Sequence, residues 1–332
     1  MSRMVPVSSP GVATRKGTRG RPVSQVRPAR RRRVKQSAPK VERVGKFSSK
    51  SREWASLINR ARATEKPKEL VTLLRVLPTD SQPIHGLTAC NTEVYVKVAF
   101  PRSVAVKLAN GIDPPGSPGL FMRRVLANEH VVHRLGVLVG APVPAHCLVD
   151  VTTDFLRANA SSLFSVGYRA TYEPGIAHGS ISVPGLSSRL RFQYAHLGDN
   201  PRRFATIALL YGWAGIIADH QFFYKLAMPK EVYSLDHGFA LGGISIWKRT
   251  ELRRCRPTPV QLDEVVCSAC PLKLHHFADS VRALRAVIAR DIARVVASLP
   301  ASWSIGHRDR IALAIYLSAR KRHLLSMFSG RV

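Results

Sequence analysis

The stretch Gly215–Leu241, GIIADHQFFYKLAMPKEVYSLDHGFAL, decides the reading of this chain. A helix leads into it. That helix opens at Asn200-Pro201, a capping Asn with proline in the first turn, and carries an apolar stripe through Phe204, Ile207, Leu210, Tyr211 and Ala214. After IIADHQFFYKL, the segment VYSLD reads as a short strand that ends in Asp236 and meets His237-Gly238. Two acids, Asp219 and Asp236, therefore occupy loop positions on either side of one short hairpin. The chain has only 21 Asp+Glu among 332 residues, so this placement is informative.

Upstream, two further charged residues stand out. Glu93–Phe100 alternates Val94, Val96 and Val98 with Tyr95, Lys97 and Ala99, which predicts a strand with Lys97 turned away from the valine face. Leu120–Leu138 predicts a helix with Phe121, Val125, Val132 and Leu135 on one stripe. Glu129 falls on that same apolar stripe. A carboxylate there is costly unless a cation or hydrogen-bond donors meet it. Other expected elements are a helix over Ser51–Ala63, strands over Leu70–Leu77 and Ala145–Val151, and a flexible loop or hairpin over Thr152–Leu190. Towards the C-terminus, a helix is expected from Thr258-Pro259, and amphipathic segments over Leu274–Leu299 and His307–Phe328.

Together the four charged residues match the needs of phosphoryl transfer. A strand lysine (Lys97) neutralises nucleotide phosphates, and a helix glutamate (Glu129) holds that lysine in position. A loop aspartate (Asp219) orients the attacking hydroxyl, and a strand-end aspartate (Asp236) binds Mg2+.

The series VYVKVAF, NEHVVHRLGVLVGAPVP, GIIADHQFFYK and VYSLDHGFAL resembles the HipA-like kinases, relatives of the protein-kinase and phosphatidylinositol-kinase fold. The resemblance spans roughly Tyr95 to Leu241. It implies ATP and Mg2+ as cofactors and a protein Ser/Thr as acceptor, with a small-molecule hydroxyl or lipid head group left open. It also implies that Asn128-Glu129 begins a regulatory helix, that Asp219 is catalytic, and that Asp236 is the metal ligand. By the same resemblance, EPGIAHGS, with Gly179 and Ser180, lies near the phosphates, and Cys147–Val151 borders the adenine.

One position departs from the family pattern. Five residues after the catalytic Asp, where a metal-binding Asn is expected, stands Tyr224. A phenol is a poor Mg2+ ligand. Three alternatives follow: one metal on Asp236 suffices, Gln221 substitutes, or the protein binds nucleotide with little turnover.

The remaining composition sets the frame. With 51 Lys+Arg the formal net charge is +30, which favours acidic partners, nucleotide or nucleic acid. Residues 1–50 hold 15 of these bases and one acid, Glu42, with almost nothing large and apolar, and read as a disordered basic tail. The tail is either an arm for nucleic acid, a solvated extension, or upstream sequence read in from a misassigned start. If it is the arm, the kinase-like core could be inert scaffold. Hydrophobic residues make up 45%, enough for a sizeable core, and no apolar run is long enough to span a membrane. There is no secretory h-region, and five cysteines make an odd, sparse set, so a cytoplasmic location is expected. Cys267-Ser-Ala-Cys270 with His275, His276 and Cys255 is either a zinc site or a pair of buried helix-end thiols. The Arg-rich helices (Arg282, Arg285, Arg290, Arg294) read as a solvated face.

The expected architecture is α+β and bilobal: tail 1–50, a sheet-plus-helix lobe 51–151, and a mainly helical lobe 152–332 that carries the catalytic loop.

Overall fold

Alternation builds the first layer of the protein. The structure, a computed structural model, describes residues 49–61, 65–77, 82–99, 120–164, 172–188, 192–216, 221–242, 247–254 and 268–330. The basic tail up to residue 48, Asp219, Cys255, Cys267 and the helix expected from Thr258 lie outside the described residues, while Ser49 and Lys50, expected in the tail, are helical. In β3 (Glu93–Lys97), Val94 and Val96 are fully buried while Glu93, Tyr95 and Lys97 take the other face. β3 pairs antiparallel with β2 (Ile84–Thr88) on one side and β5 (Gly175–Ile181) on the other. β2 pairs with β1 (Lys68–Val76), and β5 with β4 (His146–Val151). A short parallel contact, Lys68 with Val149 and Glu69 with Asp150, joins β1 to β4 and closes the five strands into a barrel. Leu70, Ile84, Val94, Val96, Val149 and Ala177 fill its interior.

The stretch expected to be a loop or hairpin, Thr152–Leu190, instead holds α3 (Thr153–Ala158), α4 (Ala160–Phe164) and then β5. Small residues hide that strand. Ala177 and Gly179 face the crowded barrel interior, where a Cβ on Gly179 would come within 2.6 Å of Val149 Cγ2. β5 follows residue 151, the expected end of the first lobe, yet all its pairings are with the barrel.

α2 (Leu120–Val139) departs from the single stripe expected of it: Arg124 to His133 are buried without interruption, nearly three turns with no exposed face. Met122 and Val125 pack into the barrel core, while Leu126, Val131, Val132 and Leu135 belong to the larger helical core. Asn128 and Glu129 lie in the middle of this helix and do not begin it.

α5 (Asn200–Ala214) forms the centre of the helical core, with Phe204, Ile207, Leu210, Tyr211 and Trp213 all fully or almost fully buried. Its N-cap is Asp199. Asn200 is already helical, and its side chain bridges to the hairpin of β7 (Gln221–Lys225) and β8 (Val232–Leu235), whose outer side pairs with the two-residue β6 (Leu186–Ser187). There its Nδ2 donates to Lys230 O, and its Oδ1 accepts from Val232 N at 2.9 Å. The helix stops at Gly215, which is left-handed at φ +71°. Gly215→Ala is expected to cost about 2–4 kcal/mol, because the left-handed backbone disfavours any side chain and the new Cβ would overlap the Tyr316 hydroxyl. A urea-unfolding midpoint checks this.

α1 (Ser49–Arg60) buries Trp54 and Ile58 and packs on the last helices. The expected Leu274–Leu299 segment breaks into a 3-10 turn at Leu274–Phe277, α7 (Ala278–Ala286) and α8 (Ala289–Ala297). The break is local: Val287 and Ile288 are extended, and Asp291 accepts the Ile288 N–H to start a new helix. α6 (Arg249–Arg254) and α9 (His307–Met327) complete the helices placed here. Among the described residues, no helix is long and apolar enough to cross a membrane.

Candidate active site

Three chain segments far apart in sequence meet at one ammonium group. The end of β3 supplies Lys97, the middle of α2 supplies Glu129, and the residue after β8 is Asp236. Lys97 Nζ donates to Glu129 Oε1 at 2.5 Å and to Asp236 Oδ1 at 2.6 Å. Lys97 and Glu129 side chains are 13% and 2% exposed, whereas Asp236 is 35% exposed, so the carboxylate nearest solvent is the aspartate. Burial alone would lower the Lys97 pKa, but Glu129 and Asp236 more than reverse this and hold it above the usual lysine range. Burial likewise works against the Glu129 carboxylate. Lys97 and the hydrogen bond from His237 overcome it and keep Glu129 well below the usual range.

Asp236 has a left-handed backbone, φ +58°, uncommon outside glycine. The turn is held by the two neighbouring α2 residues. Glu129 Oε2 accepts from His237 N at 3.0 Å, and Asn128 Nδ2 donates to Gly238 O at 2.7 Å and Ala240 O at 3.4 Å. Asn128 Oδ1 in turn accepts from Trp247 Nε1 at 2.9 Å. His237 Nε2 lies 2.8 Å from Ser234 Oγ, which hydrogen-bonds Tyr211 of α5. The loop that presents Asp236 is thus anchored to both α2 and α5.

These groups line a cleft of about 520 Å³, within the range of small-molecule sites. Lys97, Glu129, Asp236 and Gln221 form one polar side of it and Arg75, His85 and Glu93 another, while Leu77, Pro83, Ile181, Val183, Leu186 and Phe223 give it apolar walls. The backbone strap Ser182–Gly185, which leaves β5, borders it.

Several expected positions are corrected. The strap, and not Cys147–Val151, lines the cleft; β4 turns Cys147, Val149 and Val151 into the barrel core. Ser180 lines the cleft, but Gly179 packs against Val149 and Cys147 in the barrel and does not reach it. Tyr224 is buried beside Phe204 and Tyr194, on the opposite face of β7 from the cleft. The reason is register: β7 begins at Gln221, so Gln221 and Phe223 face the cleft and Phe222 and Tyr224 face the core. Gln221 Nε2 lies 3.3 Å from Asp236 Oδ2, which makes Gln221 the β7 residue in contact with the aspartate. Cys270 is buried, at 2% exposure. Arg282, Arg285, Arg290 and Arg294 are exposed, as expected of a solvated face.

Sequence reasoning missed the strap and the loop-holding role of Asn128. The Val183-Pro184-Gly185 turn signal, and an Asn on the apolar stripe, three residues after Val125 and four before Val132, were the available clues.

No protein-family model matches the chain, and no curated protein matches it. Among solved structures the chain is similar to a Golgi casein kinase, at 10% identity and a TM-score of 0.41, over 83% of this chain and 77% of that one. It is also similar to the Golgi casein kinase with Mn/ADP bound, at 12% identity and a TM-score of 0.40, over 84% of this chain and 77% of that one. Both likenesses are remote.

Proposed function

We propose that the protein is an ATP-dependent phosphotransferase with a kinase-like active site. The observation that carries this reading is the convergence of Lys97, Glu129 and Asp236, the strand lysine, helix glutamate and strand-end aspartate that phosphoryl-transfer sites require, at one cleft. The barrel with α2 and the helical remainder act as two lobes, with β5 assigned to the first and the strap as the connection between them.

The apolar walls take the base, and the Lys97 ammonium binds phosphate oxygens. Glu129 keeps that ammonium fixed while the cleft is empty or filled. Asp219, two positions before Gln221, accepts the proton of the attacking hydroxyl as its oxygen bonds to the γ-phosphorus and the bond to the β–γ bridging oxygen breaks. A divalent cation fits the donor set. Asp236 offers a half-exposed carboxylate and Gln221 an amide oxygen if its amide is flipped, and Mg2+ commonly uses one or two carboxylates plus substrate phosphates. Bound there, the ion would neutralise charge on the phosphates. The finer reading is a HipA-like kinase that uses Mg2+ and acts on a protein Ser/Thr in the cytoplasm; its support is the motif order from Tyr95 to Leu241.

The test is thermal unfolding with ATP and Mg2+. At about 100 times Kd the wild type gains roughly 2.7 kcal/mol, and Asp236→Asn loses that gain while keeping its own fold. Radiolabel transfer from ATP, abolished by Asp219→Ala, separates turnover from binding. If neither ATP nor Mg2+ raises the unfolding temperature while duplex DNA does so in a salt-sensitive way, the proposal fails and the basic arm is the functional part.

A further inference from the structure

Behind the cleft, on the far side of Glu129, four imidazoles gather between α2 and the β4–β5 pair. His130 and His133 come from α2, His146 from β4 and His178 from β5. Their ring centroids are 4.8 Å apart for His133–His178, 5.2 Å for His130–His146, 5.6 Å for His133–His146, 5.9 Å for His146–His178 and 6.1 Å for His130–His178. Imidazoles bound tetrahedrally to one ion at about 2.1 Å would place their centroids about 5 Å apart. The cluster is therefore close to the spacing of a metal centre.

The nitrogens agree with the spacing. His133 Nδ1 lies 2.8 Å from the Glu129 carbonyl oxygen. A carbonyl only accepts, so Nδ1 carries the hydrogen and Nε2 presents a lone pair; an outer hydrogen bond of this kind orients metal-bound histidines. That Nε2, both nitrogens of His178 and His146 Nε2 are buried without a hydrogen-bond partner among the described residues. His130 differs: its Nε2 accepts from Arg134 Nε at 3.1 Å, so its hydrogen sits on Nδ1 and it offers the ion no lone pair. His130, His133 and His178 are each at most 1% exposed. Buried polar atoms are nearly always paired, so a cluster of orphan nitrogens in adjoining rings points to an ion that pairs them together. Burial keeps all four rings neutral, the form that binds metal. Negative charge flanks the cluster on two sides. One ligand atom each from Glu129, His133 and His178 lie within 4.8 Å of one another, as do those of Glu65, His130 and His146.

We propose that His133, His146 and His178 hold a divalent transition-metal ion of the zinc class between α2 and the β4–β5 pair, with His130 outside the ligand set. Imidazole ligands select zinc, copper or nickel over magnesium and calcium, so this centre is distinct from any ion at Asp236. The ion would pin α2 to the β4–β5 pair and draw the three nitrogens inward by ring rotation. His178, with neither nitrogen engaged, turns most easily.

The full chain, produced without a histidine tag, decides the matter by metal analysis and by titration of the chelator-stripped protein with Zn2+ and Co2+. The expected result is about one zinc per chain, a tetrahedral cobalt spectrum without a thiolate charge-transfer band, and a rise in unfolding temperature on zinc addition. His133→Leu with His178→Leu is expected to lose all three. His146→Gln, at a partly exposed position, guards against a variant that fails to fold and is expected to weaken binding at least tenfold. A wild type that binds neither ion overturns the proposal. So does metal retained unchanged in folded histidine variants, or a thiolate-type cobalt spectrum, which would place the ion on Cys267 and Cys270.

Discussion

Lys97→Met is expected to destabilise the protein by about 3–5 kcal/mol, in addition to abolishing nucleotide binding. The lysine sits between two carboxylates, and the inner one, Glu129, is 2% exposed. Without the ammonium, the close donor left to Glu129 among the described residues is the His237 N–H, at Oε2. A buried charge that has lost its partner costs more than the intact pair contributes. Asp236, 35% exposed, can turn to water and adds little to the loss. The control is the double variant Lys97→Met, Glu129→Leu. Removing both charges is expected to recover most of the stability, because a pair replaced by apolar groups is often neutral, while ATP binding stays lost. Urea unfolding and ATP titration on the same samples separate the two effects. A double variant as unstable as the single one would show that the stranded carboxylate is not the cause.

Asn128→Leu is the second large effect, expected at about 3–5 kcal/mol. Asn128 is fully buried, and its amide satisfies Gly238 O, Ala240 O and Trp247 Nε1. Leucine matches its bulk and pairs none of them. Each orphaned group costs roughly 1–3 kcal/mol, which water cannot relieve at this depth. Because two of those carbonyls belong to the loop after Asp236, ATP affinity is expected to fall even in the fraction that remains folded. Denaturant unfolding and nucleotide titration measure the two losses. An affinity equal to wild type would mean that the loop holds its shape without Asn128.

The convergent triad was legible in the sequence because each member sits where a local rule speaks. Alternation turned Lys97 away from the valines, Glu129 stood out as a carboxylate on an apolar helix, and Asp236 marked a strand end. The barrel was harder to read. β2 is five residues with His85 and Gly86 inside it, and the centre of β5, Ala177–Ser180, is Ala, His, Gly and Ser because its interior positions face crowded neighbours. Both keep β-branched residues only at or near their ends, so neither shows the central run that marks a strand. Closure through Lys68–Val149 pairs residues 81 positions apart, which no local pattern encodes. The fate of Tyr224 depended on where β7 begins. A shift of one residue would have turned that side chain into the cleft.

The burial of α2 sets a limit on regulation. Ten consecutive residues, Arg124 to His133, are covered on every side by the barrel, α5, α8 and the Asp236 loop. A helix that can swing needs a slack face, and this one has none along the segment that carries Glu129. Withdrawing Glu129 from Lys97 would mean unpacking both cores at once. The arrangement behaves as a latch set during folding, so under the proposed function control over such a cleft falls on what reaches it, through supply of nucleotide and access of the acceptor.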